Sequence, residues 1–117
     1  MHPARGLKAW EAADLLADEV RAALAHAPSG RRYRLCDQLI RAADSISANI
    51  AEGTGRSTVA DRLRFYHMGL LSAKETLNFL KRARAAKLFD DRTYFQLANR
   101  TSVTHSLLSA LIRKLGN

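Results

Sequence analysis

Residues 45–56, SISANIAEGTGR, decide how this chain folds. Ile46 and Ile50 stand one helical turn apart and share a face, while Ser45, Asn49 and Glu52, spaced by four and three, share another. The run then meets Gly53, Gly55 and Arg56. A helix with one apolar and one small polar face has two unlike neighbours. Glycine takes the left-handed helix stop without a Cβ penalty, so the pattern predicts a helix over 34–53 that ends at Gly53. Small side chains let backbones approach closely, and an amide or hydroxyl buried there must find a partner or cost about 1–3 kcal/mol. Ser45 and Asn49 are therefore expected to bond across to Ser72, Thr76 or Glu75 on the following helix.

Helical periodicity continues on both sides. Leu7, Trp10, Ala13, Ala17, Val20 and Leu24 form a stripe that predicts a helix over 6–27, ended by Pro28 and Gly30. Thr58, with Asp61 three residues on, resembles a capping box and opens a third helix over 58–87. That helix carries two adjacent stripes. Leu63, Tyr66, Leu70, Ala73, Leu77 and Leu80 form one, and Phe65, Met68 or Gly69, Ser72, Thr76, Phe79 and Ala83 the other. Together they are wider than one bundle core needs, which predicts self-association through Phe65, Met68, Ser72 and Phe79 unless both are spent on two neighbours within the bundle. Asp90 or Asp91 caps a fourth helix over 91–116, with Tyr94, Leu97, Thr101, Thr104, Leu108, Leu111 and Leu115 on its stripe. Four amphipathic helices joined by short loops predict a single all-α domain, an antiparallel up-down-up-down four-helix bundle.

Composition narrows the function. The 117 residues, 47% hydrophobic and 26% charged, suit one globular domain with little area for a deep catalytic cleft. Charges break every apolar run before signal-peptide or membrane length, so a soluble cytoplasmic protein is expected. Cys36 is the single cysteine, and His2, His26, His67 and His105 are scattered, leaving no metal-ligand spacing and no nucleophile with a base nearby. GTGRST lacks the lysine of a P-loop. No catalytic residue, cofactor, metal, small-molecule substrate or membrane partner is expected.

The net charge is +8 and unevenly placed. Residues 1–27 hold three basic against four acidic side chains, and residues 28–117 hold sixteen against seven. Such a surplus favours a polyanion, since each cation that meets a phosphate releases condensed counterions. Arg31, Arg32, Arg34 and Arg41 surround the start of the second helix, with Tyr33 available to stack. Arg56, Arg62 and Arg64 sit at the start of the third; Lys81, Arg82, Arg84 and Lys87 crowd its end. Because bundle helices alternate in direction, residues 31–34 and 81–87 fall at the same end and are expected to form one nucleic-acid-binding patch. Arg56 either pairs with Glu52 or caps the second helix, or else contacts a phosphate beside Gly53 and Gly55.

The run YRLCDQLIRAADSISANIAEGTGR, followed by DRLRFYHMGLLSAKE, resembles the bacterial four-helix bundle proteins of the 23S ribosomal RNA intervening-sequence family, which includes the accessory variability determinants of diversity-generating retroelements. Tyr33, Leu35, Gln38, Ile40, Arg41, Ala43, Ser45, Ile46, Asn49, Ile50, Ala51, Glu52, Gly53, Gly55, Arg56, Phe65, Ser72 and Glu75 carry the pattern, and Leu7 with Trp10 look like the family's opening. Ser47 stands where proline is common and Leu71 where glycine often precedes the serine. The resemblance implies a bundle that assembles as a ring, usually a pentamer, and for the retroelement members binding to nucleic acid and to a reverse transcriptase. The expectation that follows is a non-enzymatic, oligomeric nucleic-acid-binding accessory protein. The alternative is an oligomeric scaffold that binds a protein partner without nucleic acid, and binding across a salt series separates the two.

Overall fold

Four helices form in chain order: α1 (Lys8–Leu24), α2 (Tyr33–Thr54), α3 (Val59–Ala85) and α4 (Asp91–Gly116). The computed structural model describes residue 4 and residues 6–27 and 33–116. Short connections turn each helix back along the one before. α1 packs on α2, α2 on α3, α3 on α4 and α4 on α1, while the Cα atoms of the diagonal pairs stay more than 8 Å apart and their side chains share one core. The product is an antiparallel four-helix bundle measuring 44 × 23 × 21 Å. No helix among the described residues is long and apolar enough to cross a membrane.

The ends of the helices follow local chemistry. α1 starts at Lys8 rather than at 6 because Gly6 sits at φ +99°, outside the helical region. It stops at Leu24 rather than at 27: Ala25 and Ala27 donate to carbonyls three residues back, and the proline at 28 disfavours helical geometry for the residue before it. Thr58 caps α3 by accepting the Asp61 amide at 3.1 Å, and Asp90 caps α4 by accepting the Thr93 amide at 2.8 Å.

The core is apolar with a small hydroxyl component. Ala13, Leu16, Val20, Leu39, Ala43, Ile46, Ile50, Leu80 and Leu108 are fully buried. On α1 the buried face centres further round than the sequence stripe: Leu16 is fully enclosed and Trp10 only half-buried. On α3 it runs between the two expected stripes, through Tyr66, Gly69, Ser72, Ala73, Thr76, Leu80 and Ala83. Thr76, Thr101 and Thr104 are buried without cost to hydrogen bonding because each hydroxyl donates to the carbonyl four residues earlier at 2.7–2.8 Å. Among the described residues no buried side-chain nitrogen or oxygen lacks a partner.

The motif of residues 45–56 builds the contact between α2 and α3. Ser45 Oγ and Ser72 Oγ share a hydrogen bond of 2.8 Å across it. Asn49 does not cross as expected; its amide donates back to the Ser45 carbonyl at 2.8 Å and to Ser45 Oγ at 3.0 Å, which orients the hydroxyl that does cross. Thr54 Oγ1 and Tyr66 Oη meet at 2.9 Å further along. Gly53 is not the left-handed stop: α2 continues to Thr54, and the glycine is buried there for closeness. A Cβ on Gly53 would lie 2.7 Å from Tyr66 Cε1 and 3.1 Å from the Arg62 carbonyl oxygen. Gly69 on α3 is tight against α4 instead: a Cβ there would lie 3.0 Å from Leu108 Cδ2, and 3.7 Å, an ordinary contact distance, from Asn49 Cβ and the Ile46 carbonyl oxygen.

The end of α3 has a left-handed cap made by a lysine. Leu88 N–H bonds the Ala83 carbonyl at 3.0 Å and Lys87 N–H the Arg84 carbonyl at 2.9 Å, with Lys87 at φ 59°: a Schellman motif without glycine. Leu88, 4% exposed, closes the motif against the core.

Gly53→Ala should lower unfolding free energy by about 1–3 kcal/mol through overpacking against Tyr66, whereas Gly55→Ala, whose Cβ would meet nothing nearer than 3.7 Å, should stay within about 0.5 kcal/mol of the parent. Urea denaturation separates the two; equal effects would show that closeness at 53 is unimportant. Lys87→Gly should raise the urea midpoint, by about 0.5–1 kcal/mol in stability, since glycine adopts the left-handed region freely. A lowered midpoint would contradict the cap geometry.

Candidate nucleic-acid interface

The basic residues at the end of α3 point to two sides of that helix. Arg82 lies on the α2 side, its guanidinium 5.7 Å from the Phe79 ring. Phe79 in turn lines a groove of ≈ 330 Å³ between α2 and α3 with Gln38, Arg41, Ser45 and Glu75. Arg34 is one turn before Gln38 on the same face of α2 and is exposed. Lys81, Arg84 and Lys87 lie on the other side, lining a shallow concavity of ≈ 810 Å³ with Phe89, Asp90, Asp91 and Tyr94 of the α3–α4 corner. The start of α2 and the end of α3 thus share one end of the bundle, but α3 divides their cations into two groups. Arg31, Arg32 and the side chain of Tyr33 lie outside the described residues.

Neutralisation separates these cations further. Arg84 Nε donates to Asp91 Oδ1 at 3.0 Å, and that bond pushes its guanidinium pKa up, so it stays charged. The same guanidinium stands 4.6 Å from the Tyr94 ring centroid and 4.7 Å from that of Phe95. Bonds from Thr93 hold the Asp90 carboxyl below its ordinary value. The cap it provides is therefore in place above the normal carboxylate range and fades only as pH falls through the lowered value. Arg41 Nε pairs with Asp37 at 3.0 Å. Arg34, Lys81, Arg82 and Lys87 form no ion pair with the described residues, and Lys81, Arg82 and Lys87 are exposed.

Arg56 belongs to the opposite end of the bundle, about 30 Å away by the length of α2. It pairs with Glu52 at 2.5 Å. Its guanidinium lies 4.7 Å from the Phe65 ring, with that of Arg64 at 4.5 Å. Arg62 Nε donates to the Arg56 carbonyl at 2.7 Å and ties down the turn. Arg56 therefore organises the α2–α3 turn, and Glu52 is its anchor.

Of the residues expected at a self-association face, Ser72 is only 7% exposed and is spent inside the α2–α3 contact. Phe65 and Phe79 are half-buried, Met68 is exposed, and Leu71, absent from the sequence-based set, is exposed at 58% on the neighbouring line of α3. Glu75 is exposed beside them.

Sequence reasoning also passes over Phe95. With Tyr94 buried in the core, the next residue is turned by about 100° and cannot join it. Two aromatics in succession after a cluster of cations are the available signal. Burial pushes the Cys36 thiol pKa up, away from thiolate reactivity. Among the described residues no group of three or more His, Cys, Asp or Glu side chains is arranged to hold a metal ion.

Comparison with known proteins agrees with this architecture. A protein of unknown function from the S23 ribosomal protein family of Bacteroides thetaiotaomicron VPI-5482 has the same fold, with a TM-score of 0.80 at 20% identity over 89% of this chain and 97% of that one. A search of curated proteins finds no match. The family model described as 23S rRNA-intervening sequence protein matches residues 5–110, nearly the whole bundle. The chain is a member of the 23S rRNA-intervening sequence protein family.

Proposed function

We propose that this protein is a non-enzymatic accessory factor that assembles as a ring, with five copies as the expected number, and holds nucleic acid on its basic surfaces by phosphate contacts. The observation that carries the reading is the group Arg34, Lys81, Arg82 and Lys87, four cations at one end of the bundle that no described acidic side chain neutralises. Arg31 and Arg32 immediately precede α2 in the sequence and add to its positive charge. Assembly multiplies a net charge of +8 per chain and concentrates it in a way that one bundle cannot. Exposed Met68 and Leu71, flanked by half-buried Phe79, supply apolar surface on α3 for a second copy. The resemblance to accessory determinants of retroelements extends the reading to a reverse transcriptase as a protein partner.

Binding of this kind is largely independent of sequence and weakens steeply with salt. Fluorescence anisotropy of a labelled oligonucleotide across a salt series tests it. Lys81→Ala with Lys87→Ala should flatten the log–log salt slope by about 1.5, at roughly 0.7–0.9 for each phosphate no longer neutralised. An unchanged slope would remove these two lysines from the interface, and no binding by the parent at low salt would favour the scaffold reading. For that second reading, Leu71→Asp should reduce the mass measured in solution if α3 is the assembly face.

A further inference from the structure

Phe95 is the most exposed large hydrophobic side chain among the described residues, at 59%. It is not left bare by accident of fraying, because its surroundings hold it still. It stands edge-on to the core residue Tyr94 with ring centroids 5.1 Å apart. The Arg84 guanidinium stacks over it at 4.7 Å and is itself oriented by Asp91 at 3.0 Å. One side of the ring is thus backed by a paired cation, Tyr94 meets it edge-on, and more than half of the residue is open to solvent.

The adjoining concavity contains Lys81 and Lys87, neither of which pairs with a described carboxylate. Of its two acids, Asp91 is paired with Arg84, and Asp90 stays charged while accepting the Thr93 amide, so the two lysines outnumber the one carboxylate without a cationic partner. An apolar protein surface laid over Phe95 would have to bury or displace the Arg84 guanidinium stacked on it, which is expensive. A ligand that combines a flat π-face with negative charge meets every group present. Stacking on an aromatic ring backed by a guanidinium, with ammonium groups in the concavity that Arg84 and Tyr94 also line, is an arrangement suited to an unpaired nucleotide and its flanking phosphates.

We propose that the α3–α4 corner is a single-strand-selective site, in which one unpaired base stacks on the open face of Phe95 while Lys81 and Lys87 contact the adjacent phosphates. A duplex offers this ring no base face, because its bases are stacked inside the helix, so it gains only the phosphate contacts. This rests on the nucleic-acid reading above and assigns it a strand preference. Stacking is indifferent to base identity, so the preference is for unpaired strand over duplex and not for a sequence.

The test uses the full chain, parent and Phe95→Ala, titrated against a labelled single-stranded oligonucleotide and against the duplex of the same sequence. Phe95→Ala should weaken single-strand binding about tenfold, change duplex binding less than about twofold, and leave the salt slope unaltered because no charge is removed. Phe95→Trp should restore single-strand binding, with quenching of the added indole fluorescence on stacking. Equal weakening on strand and duplex, no weakening on either, or a change in assembled mass for Phe95→Ala would each overturn the proposal, the last by showing that Phe95 is a contact between copies. If the parent binds the duplex and the single strand equally well, the strand preference fails while the nucleic-acid reading survives; if it binds neither, both fall.

Discussion

The close approach of α2 to α3 is the constraint on which the rest of the structure depends. Gly53 removes the side chain that would hold the helices apart, and the Tyr66 ring fills the space it opens. At that distance two hydroxyls, Ser45 and Ser72, can meet directly at 2.8 Å. The other three joints are made differently. Arg21 with Asp44 bridges α1 and α2, Arg100 with Glu19 bridges α4 and α1 at 2.7 Å, and Arg84 with Asp91 fastens the α3–α4 corner. Exposed ion pairs contribute little and tolerate movement. Close packing at Gly53 with a part-buried hydroxyl pair tolerates less, which makes α2–α3 the joint of most closely defined register.

That division has a consequence for the surface. Because no ion pair among the described residues joins α2 to α3, the cations along that joint other than Arg56 and Arg62 are not consumed in holding the bundle together. Arg34 and Arg82 remain without acidic partners among the described residues, and Arg41 has only a neighbour on its own helix. Where charge is used structurally, at Arg56 with Glu52 and at Arg84 with Asp91, the guanidinium also lies over an aromatic ring. The described arginines thus include those that order a turn, Arg56 and Arg84, those that bridge helices, Arg21 and Arg100, and those without an acidic partner among the described residues, Arg34 and Arg82.

The described core is filled by Leu, Ile and Ala with back-bonded threonines. The described surface offers cations without acidic partners, an exposed aromatic ring and exposed aliphatic side chains. The α3 helix is central to all three. It borders both grooves, presents Met68 and Leu71 outward, and ends in the lysine-capped turn that leads to Phe95.

Helix number, order and polarity are legible in the sequence, because period-3.6 patterning and breakers act over a few residues and the chain has no competing strand signal. The caps at Thr58 and Asp90 are legible for the same reason. So is the importance of residues 45–56, although not the mechanism: Gly53 reads locally as a stop but is a point of contact, since nothing nearby in sequence reveals that Tyr66, thirteen residues on, will lie over it. Likewise helix polarity alone brings Arg34 and residues 81–87 to one end, but which side of α3 each cation faces follows from the rotation of the helix. That rotation is settled by packing between the two apolar stripes, a choice among nearly equal faces. Local sequence therefore determined what each helix is and where it begins; the tertiary structure alone decided which face each one turns inward, because that depends on how closely two backbones from distant parts of the chain can approach.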